Sequence, residues 1–167
     1  QRLYSVYNFN RDNITMTGRK DELGFFYMRY SDDDGRSWSR DRYLVPYPNT
    51  WIDRHNDFHG TTHIMWTVDH IKYMPCSAVA FAFTKIGKYV QNPPEEIFFM
   101  SSSNLLSATN ASDIKWQLFP QNSDHGLKAP SIYNPNTTVT EEGHLLPLSH
   151  GGCYAMARTD KGFIAAS

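Results

Sequence analysis

The densest group of side chains that could do chemistry lies between residues 48 and 60. This polar stretch contains Asp53 and Arg54, with Trp51 and His55 beside them. Ligand-binding and catalytic residues often lie on loops that a rigid scaffold positions, so this composition indicates a binding loop. Asp53 is a candidate catalytic acid and Arg54 a candidate substrate-binding cation. The alternative is an ion pair that only fixes a long loop.

Metal and redox chemistry have weaker signals. Four histidines cluster in one part of the chain, but their spacing is not that of a helix and no Asp or Cys pattern completes a metal site. The two cysteines are too few for a disulfide scaffold, and they can pair with each other, pair outside the chain or remain buried thiols. We therefore expect no metal and no cofactor. These residues are His55, His59, His63, His70, Cys76 and Cys153.

A turn motif between two strand-like runs organises the chain around it. Residues 31–38 follow the pattern Ser-x-Asp-x-Gly-x-Ser-Trp. The Asp33 carboxylate can accept hydrogen bonds from backbone N–H groups of the turn, and Gly35 can supply the positive φ that a residue with a Cβ resists. Ser31 begins the motif, and we expect Trp38 to turn inward as a large apolar anchor. Residues 101–116 look like a degenerate second copy with an insertion.

The segments around this motif predict an all-β protein. Residues 1–10 alternate loosely, residues 23–30 are bulky, and residues 77–84 are too apolar to face water, which indicates an inner strand. A long loop is expected at residues 85–96. Further strands are expected over residues 42–46, 62–69, 97–102, 115–119, 141–147, 153–158 and 162–167.

The four fixed positions of the turn motif resemble the Asp box of sialidase-type β-propellers. From about residue 23 to residue 167 the chain is similar to the BNR-repeat, sialidase-like family. The resemblance rests on residues 30–39, 52–60, 80–87, 124–127 and 142–158. It implies a six-bladed β-propeller in which the box is structural and lies far from the active site. Counting hairpins gives about three blades in a single domain over residues 1–167.

A propeller closes with roughly four to eight blades, and a half ring would leave open sheet edges. We therefore expect this chain to be a fragment, or to be completed by a second chain.

The resemblance also implies catalytic roles. In sialidases a Glu is followed by Leu, Gly and Arg six, nine and sixteen residues later, and Glu142, Leu148, Gly151 and Arg158 have that spacing. By this resemblance Glu142 would polarise a Tyr nucleophile and Arg158 would hold the carboxylate of the substrate. A planar guanidinium binds a carboxylate through two parallel hydrogen bonds, and a carboxylate can take the proton of a phenol.

A sialidase also needs a general acid on a loop before the first box. Asp21 occupies such a place, beside the candidate substrate-binding Arg19, although residues 19–22 also suit a solvated polar loop. The sequence lacks the Arg-Ile-Pro entry strand, a third Arg and a nucleophilic Tyr in recognisable context. The resemblance implies exo-acting hydrolysis of a terminal acidic sugar. The alternative is a non-catalytic propeller that binds carbohydrate or protein.

Composition limits the partners. The formal net charge is −1 with Lys and Arg scattered, which gives no footprint for nucleic acid or an anionic membrane. The longest apolar run is too short to span a bilayer, and no signal peptide is evident. Sequons at Asn13, Asn110 and Asn136 favour a glycosylated protein that is secreted or in the lumen of the secretory pathway.

His125, in Asp-His-Gly, suits a turn-stabilising role.

Overall fold

The computed structural model describes residues 2–15, 20–88, 92–149 and 151–166, and it is built almost entirely of β-strands. The all-β prediction is confirmed. In the described part of the chain, no helix is long and apolar enough to cross a membrane. The candidate residue Arg19 and the side chain of Cys76 lie outside the described residues.

The first group of strands, which we call the N-terminal sheet, contains β1 (Leu3–Phe9), β2 (Leu23–Ser31) and β3 (Tyr43–Leu44). Antiparallel pairing of β1 with β2 runs from Leu3 opposite Ser31 to Phe9 opposite Phe25. Bulky aromatic and β-branched residues stabilise such pairs by cross-strand packing.

The second group, the central meander, contains the two longest strands, β6 (Val79–Lys88) and β7 (Asn92–Ser102). Its shorter strands are β4 (His63–Trp66), β5 (Lys72–Tyr73) and β8 (Gln117–Phe119). The long loop expected at residues 85–96 is mostly strand, because β6 and β7 pair as far as Lys88 opposite Asn92. A short helix, α1 (Trp51–Arg54), precedes β4. Leu23 and Gly24 pair with β4, so β1–β8 form one hydrogen-bonded sheet.

The third group, the C-terminal sheet, contains β9 (Glu141–Pro147), β10 (Cys153–Thr159) and β11 (Gly162–Ala166). It packs against the central meander, where Ala80, Ala82 and Ile97 meet Leu145 and Ala157. The approach is close: a Cβ on Gly143 would lie 2.8 Å from Ile97. A side chain at this position would require Ile97 or β9 to move.

Alternation along β6 explains how the core is divided. Val79, Phe81 and Phe83 pack with Phe26 and Met28 of the N-terminal sheet, whereas the intervening alanines pack against the C-terminal sheet. Successive side chains of a strand point to opposite faces, so β6 is buried on both. The prediction of an inner strand at residues 77–84 is confirmed.

The turn motif of residues 31–38, which resembles an Asp box, forms the connection after β2. Ser31 Oγ donates to Asp33 Oδ1 at 2.8 Å, and Ser37 donates to the same carboxylate through its N–H at 2.8 Å and its Oγ at 2.6 Å. Gly35 has φ +85°, as expected from the sequence. Trp38, however, is 41% exposed, so the expectation of an inward anchor is wrong. The ring lines a groove with Tyr4 at the sheet edge instead of entering the core.

A similar turn follows β7. Ser102 Oγ lies 3.2 Å from Asn104 Oδ1, and the Lys115 N–H donates to the same oxygen at 2.9 Å. Asn104 therefore occupies the role of Asp33, and seven more residues separate it from Lys115 than separate Asp33 from Ser37. Here the tryptophan does pack on the core, since Trp116 contacts Phe81 edge-on at 6.1 Å.

Both turns lie at one end of the structure, which we call the box end. Arg2 connects them through Asp32, beside the first turn, and the carbonyl of Thr109, in the insertion of the second. Leu23 pairs with β4, which itself pairs with β6 at Lys85, so the start of β2 lies at the opposite end. Glu95, near the start of β7, lies at that end as well, where it pairs with Ile86.

The Asp33 carboxylate gives a pH prediction. Hydrogen bonds, chiefly from Ser37, lower the pKa of Asp33 from 3.8 to about 2. A lowered pKa stabilises the fold above the ordinary value, and that contribution is lost as the pH falls from about 4 towards 2. We expect the melting temperature of the native protein to fall more steeply over this range than that of Asp33→Asn. Thermal melts from pH 5 to pH 2, with Asp34→Asn as control, measure the difference; parallel curves would contradict it.

Candidate functional site

Four ionisable side chains meet at the end opposite the boxes. We call Glu95, Glu141, Glu142 and Arg158 the acid–arginine cluster. Arg158 donates through Nε to Glu142 Oε2 at 2.7 Å, and one of its terminal nitrogens lies 2.5 Å from Glu141 Oε1. Glu142 and Arg158 are partly exposed, with side-chain exposures of 36% and 43%. The sequence-predicted pair therefore does converge at a position that solvent can reach.

A β-bulge makes this arrangement possible. Met156 of β10 pairs with His144, and Arg158 pairs with Glu141, so β9 carries one extra residue between them. Glu142 has φ +52°, a conformation that costs free energy for a residue with a side chain. In a regular strand, consecutive glutamates point to opposite faces. The bulge instead allows both to reach one guanidinium, and such bulges are frequent beside active sites.

Two members of the cluster are buried. Glu95 has no exposed surface and Glu141 has 5%. Among the described residues, neither carboxyl oxygen of Glu95 has a hydrogen-bond partner. Of the two Glu141 oxygens, only the one that contacts Arg158 has a partner. Burial, followed by repulsion from Glu141, raises the pKa of Glu95 from 4.5 to about 8. Burial also raises the pKa of Glu141, although Arg158 opposes this effect. Glu95 therefore keeps its proton at neutral pH.

The buried acid should make stability depend on pH. Glu95 binds its proton more tightly in the folded protein, so unfolding becomes easier as the pH rises from about 4.5 to about 8. At about 1.4 kcal/mol per pKa unit this amounts to at most roughly 5 kcal/mol. We expect Glu95→Gln, which is neutral at every pH, to flatten this dependence and to be more stable than the native protein at pH 9.

Urea unfolding at pH 5, 7 and 9 measures this prediction. The matched control is Glu142→Gln, which changes a partly exposed acid of the same cluster. If the native protein and Glu95→Gln lose stability in parallel as the pH rises, the assignment of a buried proton to Glu95 is wrong.

Asp21 lies far from the cluster in the sequence, and a short turn fixes its position. It is exposed on a single 3-10 turn, Lys20–Glu22, directly before β2. Its neighbour Glu22 is buried, and the charge of Glu22 contributes to the raised pKa of Glu95. The turn that carries Asp21 therefore borders the acid–arginine cluster.

Asp53 and Arg54 are placed elsewhere. Asp53 is 1% exposed and accepts a 2.5 Å hydrogen bond from Lys85, which is itself fully buried. Lys85 follows the same alternation as Phe81 and Phe83, so it points towards the N-terminal sheet. Arg54 forms an exposed ion pair with Asp124. The structure thus does not bring Asp53 and Arg54 together with Glu142 and Arg158. Each of the two residues instead fixes the loop through its own ion pair.

The histidines do not assemble a metal site. Within the described ranges, no group of three or more His, Cys, Asp or Glu side chains could hold a metal ion. His63 is buried between Tyr47 Oη at 2.8 Å and Asn49 Oδ1 at 2.7 Å, and burial lowers its pKa to about 4. Among the described side chains Cys153 has no disulfide partner, and it is half-buried.

Sequence reasoning missed Glu95 and Glu141. Glu95 lies in the stretch expected to be a loop, and its burial follows only from the extension of β6 and β7. A signal was present in residues 85–88, where Lys85 and Ile86 continue the strand pattern of residues 77–84. Glu141 directly precedes the predicted Glu142, but its role depends on the bulge.

Comparisons of the chain with protein-family models, with curated proteins and with solved structures give no match.

Proposed function

We propose that this chain belongs to a sialidase-like glycoside hydrolase that acts on terminal acidic sugars of glycans. The observation that carries the proposal is the meeting of Glu142 and Arg158 at 2.7 Å on a strained bulge. Exposed acid and guanidinium groups in one place are what the hydrolysis of an acidic glycoside requires. The spacing of the two residues in the sequence, which resembles that in sialidases, supports the same roles.

In this mechanism Arg158 binds the carboxylate of the sugar. A guanidinium has five N–H donors, so the contacts with Glu141 and Glu142 leave donors for a ligand. Buried Glu141 holds the guanidinium in place at 2.5 Å. Glu142 then accepts the proton of the nucleophile, for which a Tyr hydroxyl is the group expected from the resemblance.

Asp21 is the proposed general acid. It is exposed, and the turn that carries it borders the cluster through Glu22. An acid that protonates the leaving oxygen must be reachable by substrate, and Asp53, which is fully buried, is not.

We also infer that the three groups of strands are blades of a six-bladed propeller. The support is that the N-terminal and C-terminal sheets pack on opposite faces of the central meander and that both box turns lie at one end. About three blades are present here, so a closed ring would need further blades from the rest of the propeller or from a second chain. The exposed Asn13, Asn110 and Asn136 support a secreted or lumenal glycoprotein.

A fluorogenic sialoside assay on the purified native glycoprotein tests the proposal. Hydrolysis of the sialoside, with none of a matched neutral β-galactoside, is the expected result. The intact mass after deglycosylation shows whether the active species exceeds the 19.2 kDa of this chain. Failure of the native species to hydrolyse any terminal acidic sugar would overturn the enzyme proposal.

The second candidate function is a non-catalytic propeller that binds carbohydrate or protein. The burial of Asp53 favours it, because one of the two candidate general acids is lost to a structural ion pair. Binding of the same sialosides without turnover would support this alternative.

A further inference from the structure

A second group of polar and aromatic side chains lies on the other face of the central meander. We call Trp51, Arg54, His55, Asp124 and His125 the histidine patch. Three of them come from α1 and its C-cap, and two come from the loop between β8 and β9. The backbone N–H of Trp51 donates to the Asp124 carbonyl at 3.0 Å, and Arg54 pairs with the Asp124 carboxylate. Two separate segments are thus fixed against each other.

A buried carboxylate orients the histidine of this patch. Glu96 is 1% exposed, and its two oxygens accept hydrogen bonds from His125 Nδ1 and from the Gly126 N–H, both at 2.8 Å. A ring nitrogen that contacts a carboxylate must carry the proton, so the neutral ring has an unprotonated Nε2. The side chain of His125 is 39% exposed. Because Nδ1 faces the buried acid, the exposed part of the ring carries Nε2.

The surrounding groups are also accessible. The side chains of Arg54 and Asp124 are 46% and 50% exposed although they pair with each other. Trp51 lies between two imidazoles, stacked on His55 at 4.3 Å and tilted against His125 at 5.4 Å. Burying a carboxylate is costly unless it is hydrogen-bonded. The Gly126 N–H satisfies one oxygen of Glu96 and His125 satisfies the other, so the buried acid holds an exposed imidazole in one orientation.

The patch is distinct from the acid–arginine cluster. Glu96 and Glu95 are neighbours on β7, and neighbouring side chains of a strand point to opposite faces. Glu96 pairs in register with Lys85, on the face of the N-terminal sheet, whereas Glu95 is coupled to Glu141 of the C-terminal sheet. A ligand at the patch therefore contacts residues that the proposed hydrolysis does not use.

We propose that the histidine patch is a carbohydrate-binding site. His125 Nε2 accepts a hydrogen bond from one sugar hydroxyl, and the Arg54–Asp124 pair binds the neighbouring hydroxyl of the same sugar. Sugar hydroxyls both donate and accept, and this patch offers an acceptor nitrogen, a carboxylate and a guanidinium at fixed positions beside an indole. Aromatic rings with a polar edge suit ligands that have both apolar and polar faces. The inference goes beyond the proposed hydrolysis and does not depend on it.

The experiment is an NMR titration of the native protein with four probes. They are the methyl glycosides of galactose, mannose, glucuronic acid and sialic acid, each added to tens of millimolar. Long-range proton–nitrogen spectra observe the His125 imidazole, and the indole N–H signal observes Trp51. We expect His125 to show the Nδ1–H tautomer and both signals to shift with at least one glycoside, with a Kd in the millimolar range.

Two matched variants separate binding from folding. The side-chain amide of His125→Asn can still donate to Glu96 but has no Nε2, so we expect at least about a tenfold loss of affinity in a folded protein. His144 also contacts a carboxylate through Nδ1, at 3.2 Å from Asp69, and is half exposed. His144→Asn should bind like the native protein.

The inference is overturned if no glycoside shifts the His125 and Trp51 signals, or if His125→Asn binds as well as the native protein does. The result is independent of the proposed function. Arg158→Lys should lose sialoside hydrolysis and retain glycoside binding at the patch, whereas His125→Asn should lose the binding.

Discussion

Arg158→Lys is expected to lower the kcat/KM for sialoside hydrolysis by about 100-fold or more, although the positive charge is kept. A lysine ammonium is a point charge and cannot reproduce the two parallel bonds that a guanidinium makes with a carboxylate. The variant would also lose the contact with Glu142 or the contact with Glu141, since one ammonium replaces two separate nitrogens. Small misplacements of a substrate-positioning group can reduce rates by about this factor.

The loss should appear in both kinetic constants. In the proposed mechanism Arg158 binds the ground state of the substrate, so its loss raises KM. It also holds Glu142, so its loss lowers kcat. A residue with a purely structural role would instead lower the amount of folded enzyme. Active-site titration or unfolding in urea distinguishes the two cases.

Arg36→Lys is the matched control. Arg36 lies in the first box turn, at the other end of the structure, and is exposed. We expect unchanged kinetics for this variant. Native-like turnover by Arg158→Lys would show that the guanidinium does not bind the substrate carboxylate and would remove the main support for an acidic sugar as substrate. The Arg158–Glu142 ion pair is partly exposed and screened by solvent, and the lysine ammonium keeps a positive charge near buried Glu141, so the folded fraction should change little.

The Asp box illustrates what the sequence can predict. The hydrogen bonds of the Asp33 carboxylate join residues no more than four positions apart, and Gly35 and Asp33 have conformational preferences that act locally. The same reasoning did not predict the exposure of Trp38, because burial of a ring depends on which element covers it. Trp116, at the corresponding position of the second turn, is covered by the core. Two similar local sequences therefore differ in tertiary packing.

The acid–arginine cluster shows a different limit. The spacing of Glu142 and Arg158 indicated a pair, and the structure brings them together. Glu95 could not be predicted, because its partner Glu141 is 46 residues away and the contact depends on the packing of two sheets. The residue itself had no unusual local pattern beyond its neighbour Glu96. Long-range electrostatic contacts of this kind follow from the fold and not from sequence spacing.

Lys85→Met is expected to destabilise the protein by about 3–5 kcal/mol, the usual cost of removing one partner of a buried ion pair. Lys85 has no exposed surface, and its ammonium lies 2.5 Å from Asp53 Oδ2 and 3.1 Å from Thr50 Oγ1. Burial raises the pKa of Asp53, but attraction to Lys85 together with hydrogen bonds from Lys85 and Thr50 outweighs it, so the pKa lies below its usual value. Without Lys85 the carboxylate would remain buried next to a neutral histidine.

The size of the effect depends on both charges, so a second substitution should reverse much of it. In Lys85→Met with Asp53→Asn, the amide oxygen can still accept from Thr50 and no charge is buried. We expect this double variant to be more stable than Lys85→Met alone, and the single variant to melt about 10 °C lower than the native protein. Lys88→Met, an exposed position on the same strand, should change the melting temperature little. If Lys85→Met and the double variant melt at the same temperature, Asp53 is not charged in the folded protein. Hydrogen bonds and apolar contacts, and not an ion pair, then hold the loop of residues 48–60.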